Sequence, residues 1–236
     1  MGDLGLNPRP RAALHHFGSE QEPLLQIDGV LRTPQALVDY AATGVDFAPA
    51  YGAGGGYPGL RAPSPLDYVG AVARAFSPLV IEAFGLGDVR LARAECNFSL
   101  VTLPAEALVP SQRVPHIDTV DPLQFAFLHF ICGPEFGGTG FYRHRATGYE
   151  MITPERLERY DAIRAVEEAA APAPAAYIAD HSPHFERIAA FEPAFDRMLI
   201  YRSRVLHSGQ VSGAPLSPDP RHGRLTANIF LNYRRA

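Results

Sequence analysis

Five side chains carry the chemistry this sequence can offer: His116 and Asp118 close together, His207 far downstream, then Arg224 and Thr226. Two imidazoles and a carboxylate are the ligand set that holds non-haem Fe(II) on one face and leaves the opposite positions open. A following Arg suits a carboxylate-bearing cosubstrate, because its planar fork grips both oxygens at once. Taken together, the five point to an iron site working with a small dicarboxylate and oxygen.

Spacing decides whether such residues can meet. In a strand, residues two apart project from one face, so His116 and Asp118 point together while Ile117 turns away. Pro115 and Pro122 place them at a strand end or edge. In a regular strand over 201–207, Tyr201, Ser203, Val205 and His207 share a face, and Arg202 and Arg204 take the other. A second His-x-acid pair, His184 and Glu186, shows that the motif alone is weak. Asp118 precedes His207 by 89 residues and Glu186 precedes it by 21. Only the longer interval leaves room for a barrel to complete several strands and return. His184 and Glu186 are therefore expected at the surface or behind the ligands. Arg224 and Thr226 share a strand face with Asn228, opposite Leu225, Ala227, Ile229 and Leu231. They lie one hairpin beyond His207.

The elements expected to position these residues begin with a loose lead-in over 1–22 and a short strand over Leu24–Ile27. Thr33 is expected to cap a helix opening at Pro34 and running to about Ala42. Tyr51–Gly59 reads as a Gly-rich loop; Tyr57 stands where a dinucleotide fingerprint needs its last Gly. Leu66, Val69, Val72, Ala73 and Phe76 recur at helical spacing, with Ser77-Pro78 ending that helix and starting another up to Phe84, stopped by Gly85. Strands are expected over 90–102, 113–118, 124–132, 139–143, 185–191, 197–201, 205–207 and 224–233. Thr153-Pro154 opens a helix to Ala170, followed by an Ala/Pro-rich tract to Ala176, a candidate lid or a surface excursion. Many short strands between turn signals indicate a barrel or sandwich.

Composition narrows the function classes. The chain has 236 residues, 47% hydrophobic and 19% charged, with a net charge of −4, so no basic face for nucleic acid is expected. All 21 basic residues are Arg. Without Lys, Schiff-base chemistry and a phosphate-binding loop lysine are excluded. The longest apolar stretch, 123–132, is too short to span a bilayer. The first ten residues lack a secretory h-region, and Leu6 stands where a myristoylation signal after Gly2 needs Ser or Thr. Cys96 and Cys132 make no disulfide framework and read as small core residues; a cytoplasmic location is expected. His129, in an apolar strand, reads as a satisfied core histidine. His144, flanked by Arg143 and Arg145, is either a rim contact for an anionic substrate or part of a solvated loop. His15, His16, His181 and His222 are expected in loops, without a role.

On His116-x-Asp118, the turn Gly137-Gly138-Thr139-Gly140-Phe141, Leu206-His207-Ser208-Gly209 and Arg224-x-Thr226, the sequence resembles the 2-oxoglutarate- and Fe(II)-dependent oxygenase superfamily. Within it the likeness is to the prolyl-hydroxylase-like branch, in an uncharacterised bacterial subgroup, and covers roughly residues 90–233. The resemblance implies a mainly β fold with flanking helices and a double-stranded β-helix (jelly-roll) core. A single domain over 1–236 follows, with 1–89 as helical and loop support, the core over 90–236 and a helical insertion at about 150–184. It also implies iron held by His116, Asp118 and His207, and 2-oxoglutarate salt-bridged to Arg224 and hydrogen-bonded to Thr226. Asn97 and Tyr142 are both candidates for the cosubstrate's inner carboxylate. The implied activity is hydroxylation of an amino-acid, peptide or other small-molecule substrate with oxygen. No nucleic-acid or membrane partner is expected, and the oligomeric state is unreadable. The rival readings are a zinc or other cupin-like metalloenzyme and a non-catalytic jelly-roll binding module.

Overall fold

The computed structural model describes residues 4–52, 55–180, 182–211 and 214–236; Gly2 and His181, assessed above, and part of the Gly-rich stretch lie outside them. In chain order the elements are β1 (Arg11–Phe17), β2 (Glu22–Asp28), α1 (Gln35–Thr43), β3 (Ala48–Gly52), β4 (Gly55–Pro63), α2 (Leu66–Ala83) and β5 (Val89–Val101). There follow β6 (Gln124–Phe130), β7 (Thr139–His144), α3 (Pro154–Ala170), β8 (Phe185–Phe191), β9 (Arg197–Arg202), β10 (His207–Gly209) and β11 (Leu225–Arg235). The strands form a large sheet in the order β1-β2-β9-β6-β11-β5-β4-β3 and a small one in the order β10-β7-β8. Every pairing between these strands is antiparallel.

Alternation along the strands divides the large sheet into two faces. Phe98 and Leu100 of β5, Phe125 and Phe127 of β6, Met198 and Ile200 of β9 and the odd-numbered residues 225–231 of β11 pack with α1 and α2 in one core. The opposite face supplies Ala126, Phe130, Leu199 and Tyr201 to a second core, shared with Phe141 of β7 and Ile188 and Phe191 of β8. The cavity opens between the two sheets on this second face. Register sets what lines it: Arg61 of β4 pairs with Ser99 of β5, which pairs with Thr226 of β11.

Several elements differ from expectation. The lead-in contains β1, so His15 and His16 lie in a strand, not a loop. Residues 1–89 are more than helix and loop, because β1 to β4 are strands of the large sheet. Pro34 itself caps α1, which starts one residue later than Thr33 suggested. The Gly-rich stretch belongs to the β3–β4 hairpin. Its chain path depends on glycine: Gly55 and Gly56 have φ of 111° and 94°, and a Cβ at Gly59 would collide with the Leu100 carbonyl oxygen. Pro78 does not divide α2, which runs through it as one helix. The missing amide bond is accommodated there, next to a Ser77 Oγ bond to the Ala73 carbonyl. Leu66, placed on the apolar face by spacing, is 85% exposed at the first turn of the helix.

Residues 113–118 are not a strand. A 3₁₀ turn ends at Arg113, and only His116 makes an isolated bridge, to His207. The run 201–207 is broken by a turn after β9, so β10 begins at His207. No described helix is long and apolar enough to cross a membrane.

Candidate metal centre and its cavity

His116 and His207 are locked side by side through the backbone. Each donates its amide N–H to the other's carbonyl, at 3.0 and 2.9 Å, the closely spaced pairing of an antiparallel bridge. The two imidazole centroids are consequently 4.5 Å apart. Asp118 is held on the same side by its amide N–H, which donates to the Ser203 carbonyl at 2.8 Å. One Asp118 oxygen lies 3.9 Å from Nε2 of His116 and the other 3.8 Å from Nε2 of His207. The three side chains offer ligand atoms all within 4.8 Å of one another. Bridge and backbone anchors thus converge what regular strands were expected to converge.

The chemistry of this donor set fits a divalent ion. Nδ1 of His207 lies 2.8 Å from the Val205 carbonyl and donates its proton there, which leaves Nε2 as a bare lone pair aimed at the cluster. Burial, with His207 as a neighbour, pushes His116 down to about 4, and burial alone pushes His207 down to about 4. Both imidazoles are therefore neutral at physiological pH, the form that ligates. Burial raises Asp118, opposed by His116, a Ser203 hydrogen bond and Arg61. The half-exposed His116 ring sits deep in the protein, yet the cavity keeps it open to a small molecule.

That cavity, about 460 Å³, is lined by His116, Asp118 and His207 at one end and by Arg224, Thr226 and Asn228 of the β11 strand and its entry. Arg224 is 4% exposed. Its Nε and Nη2 donate to the carbonyls of Gly137 and Gly138 at 3.2 and 2.9 Å, and its plane lies 5.7 Å from the Phe130 ring centre. Among the described residues no carboxylate pairs with Arg224. Thr226 Oγ1 donates to the Ser99 carbonyl at 3.4 Å.

Buried polar atoms without a hydrogen-bond partner gather at this cavity: the Tyr57 hydroxyl, Nε of Arg61, Oγ1 of Thr139 and Oδ1 of Asn228 belong to residues that line it, and the Ser99 hydroxyl to the residue paired beside Thr226. Orphaned buried polar groups are uncommon in folded proteins, and a cluster facing one cavity indicates a site built for a polar ligand. Sequence reasoning missed Tyr57, Arg61, Thr139 and Tyr177 as lining residues. Arg61 between Leu60 and Ala62 does carry a strand alternation, which the preceding glycines obscured.

Other expected site residues lie elsewhere. Tyr142 does not reach the cavity; it packs with Ile152, Tyr160, Ile178, Phe185 and Leu206, donates to the Ala179 carbonyl and accepts from Gln210. Strand alternation puts it on the face of β7 opposite Thr139 and Phe141. Asn97 pairs across the sheet with Asn228 but is not among the lining residues. His144 is fully buried, neither rim contact nor solvated, with its nitrogens on Thr147 and Glu167. Arg143 is bound to Glu150 and Glu186. His184 lies 3.5 Å from Glu167 and away from the cluster. His129 is a satisfied core residue between Tyr68 and Asp196, at 2.7 and 3.0 Å.

No curated protein matches the chain in sequence. Among solved structures it is similar to HygX from Streptomyces hygroscopicus with nickel, 2-oxoglutarate and hygromycin B bound, at 12% identity and a TM-score of 0.47, over 90% of this chain and 84% of that one. It is similar to SnoN, a non-haem α-ketoglutarate-dependent epimerase from nogalamycin biosynthesis, at 13% identity and a TM-score of 0.46, over 92% and 79%. A third is EctD from S. alaskensis with bound Fe, at 11% identity and a TM-score of 0.40, over 98% and 87%. Similarity at this level carries no weight for reaction or substrate. A family model, by contrast, matches from residue 8 to residue 231, a span that takes in both sheets and the whole cavity lining. By that match the chain belongs to DUF6445, a family of unknown function.

Proposed function

We propose that this chain is an Fe(II)- and 2-oxoglutarate-dependent oxygenase that hydroxylates an amino-acid, peptide or other small-molecule substrate. The observation that carries the reading is one cavity holding a His116–Asp118–His207 cluster and, beside it, the buried guanidinium of Arg224 with no carboxylate partner. On this reading the two antiparallel sheets form a jelly-roll core within a single domain, in a cytoplasmic protein.

Iron and 2-oxoglutarate, when bound, supply oxidation of a substrate C–H bond by oxygen, coupled to decarboxylation of the cosubstrate to succinate. The protein's residues bind and orient. His116 and His207 present neutral Nε2 lone pairs, and Asp118 adds the one anionic donor. Arg224 offers the rest of its fork to the far carboxylate of 2-oxoglutarate, and the Thr226 hydroxyl turns to the same group from its 3.4 Å bond to the Ser99 carbonyl. Gly137 and Gly138 fix the Arg224 plane through their carbonyls, so little ordering remains on binding. Tyr177, from the segment after α3, lines the cavity with its hydroxyl tied to the Leu103 carbonyl at 2.7 Å, and so helps exclude bulk water.

Adding Fe(II) and 2-oxoglutarate to the protein without oxygen tests the proposal. A visible charge-transfer band that needs both components is expected. Tight zinc binding with no such band would replace this reading by that of a zinc site.

A further inference from the structure

Arg61 is a second cationic group in the same cavity, and nothing in the proposed chemistry uses it. It comes from β4, where pairing Arg61 with Ser99 and Ser99 with Thr226 sets it on the cavity face two strands from Thr226, about 10 Å across the sheet. Its guanidinium carbon stands 5.0 Å from the centre of the Tyr57 ring. Its Nε is sealed from solvent without a hydrogen-bond partner, as is the Tyr57 hydroxyl. Among the described residues no carboxylate forms an ion pair with it. Its charge is nevertheless felt by His116 and Asp118, so it stands close to the cluster, and by Tyr57, which feels Arg224 more strongly. Burial holds Tyr57 above the ordinary phenol range, so its hydroxyl is a neutral donor.

Formal charge decides what Arg61 takes. Apart from the histidines, the charged residues lining the cavity are Arg61, Asp118 and Arg224. A divalent metal with Asp118 and Arg224 balances the two negative charges of 2-oxoglutarate, which leaves Arg61 uncompensated. A charge with no carboxylate partner is costly to enclose, and the planar fork of Arg61, held over the Tyr57 ring, matches a carboxylate.

We propose that Arg61, seated over the Tyr57 ring, forms the recognition site for a carboxylate on the primary substrate, which makes that substrate an organic acid bound by one negatively charged group. The inference rests on the oxygenase reading, because that reading assigns Arg224 and the metal to the cosubstrate.

The test uses protein loaded with Ni(II) and saturating 2-oxoglutarate, with 4-fluorobenzoate and 4-fluorobenzamide as probes followed by fluorine NMR. The acid should bind and be relaxed by the nearby nickel; the amide should bind about tenfold or more weakly. R61Q should lose the acid by a similar factor and keep 2-oxoglutarate affinity within about threefold, whereas R224Q should lose 2-oxoglutarate. R61K, which keeps the charge without the fork, should retain part of the acid binding and shows whether a loss in R61Q reflects misfolding. Equal binding of acid and amide, no acid binding by the wild type, or unchanged acid binding in R61Q each overturns the proposal. A fall in 2-oxoglutarate affinity in R61Q as large as in R224Q overturns it too, by assigning Arg61 to the cosubstrate. If the wild type takes up neither nickel nor 2-oxoglutarate, the oxygenase reading fails separately. Acid binding by the metal-free protein, sensitive to R61Q, would then still identify the anion site.

Discussion

On the proposed reading each residue of the cluster does a separable job, so variants should separate them. His116→Ala or His207→Ala removes one of three ligands and should abolish iron binding, measured by metal content after dialysis. Arg224→Ala should leave iron content near that of the wild type and weaken 2-oxoglutarate by about ten- to a hundredfold, since hydrogen bonds to charged groups contribute roughly 1.5–3 kcal/mol. Equal loss of iron and 2-oxoglutarate would give Arg224 a structural role instead. That His116, Asp118 and His207 come together was legible in the chain because ligand chemistry restricts such residues to few types. Tyr142 was misplaced because it alternates with Phe141 along β7, and local sequence does not say which of the two faces turns to the cavity. Arg61 and Tyr57 went unnoticed because the glycines before them read as loop.

At the scale of elements, the β4 strand delivers Tyr57 and Arg61, and its pairing to β5 depends on an absent side chain. Gly59→Ala places a methyl group against the Leu100 carbonyl oxygen and should cost roughly 2–4 kcal/mol, read from denaturant unfolding. Wild-type stability in that variant would show that the strand can shift. A second junction, between β2 and β9, is joined by Arg197, whose Nε and Nη2 donate to Asp28 at 2.6 and 3.1 Å. The Arg197 hydrogen bond holds the Asp28 carboxyl below its ordinary value of 3.8. A depressed folded-state value stabilises above the unfolded-state value and is lost as pH falls through the folded one. Asp28→Asn should therefore lower stability at neutral pH by less than about 1 kcal/mol, because the pair is partly solvated. The variant should lose correspondingly less on acidification from pH 5 to 3, and an unchanged acid profile would remove Asp28 from the account. Strand periodicity made β5, β6, β7, β8 and β11 readable within a residue or two. The 113–118 segment was not, because its ligand geometry comes from a bridge to a residue about ninety positions away, and local pattern is blind to that.

For the molecule as a whole, the site joins distant parts of the chain: the 113–118 loop, β10 and the β11 entry all contribute. Whatever binds there and not to the unfolded chain should stabilise the entire fold by mass action. Ni(II) with 2-oxoglutarate, each at about a hundred times its Kd, should raise Tm by roughly 10–20 °C, and EDTA should reverse it. Thermal scans with no shift would contradict a site assembled from these elements. The sequence alone determined the donor types, the absence of lysine chemistry, the mainly β character and the apolar face of β11, because these follow from residue chemistry and local periodicity. The tertiary structure decided which polar groups stand unpartnered around one cavity, that His144 and Tyr142 lie outside it, and that Arg61 lies inside. Those facts depend on register and on pairing between remote strands, where a single-residue slip exchanges the buried and exposed faces.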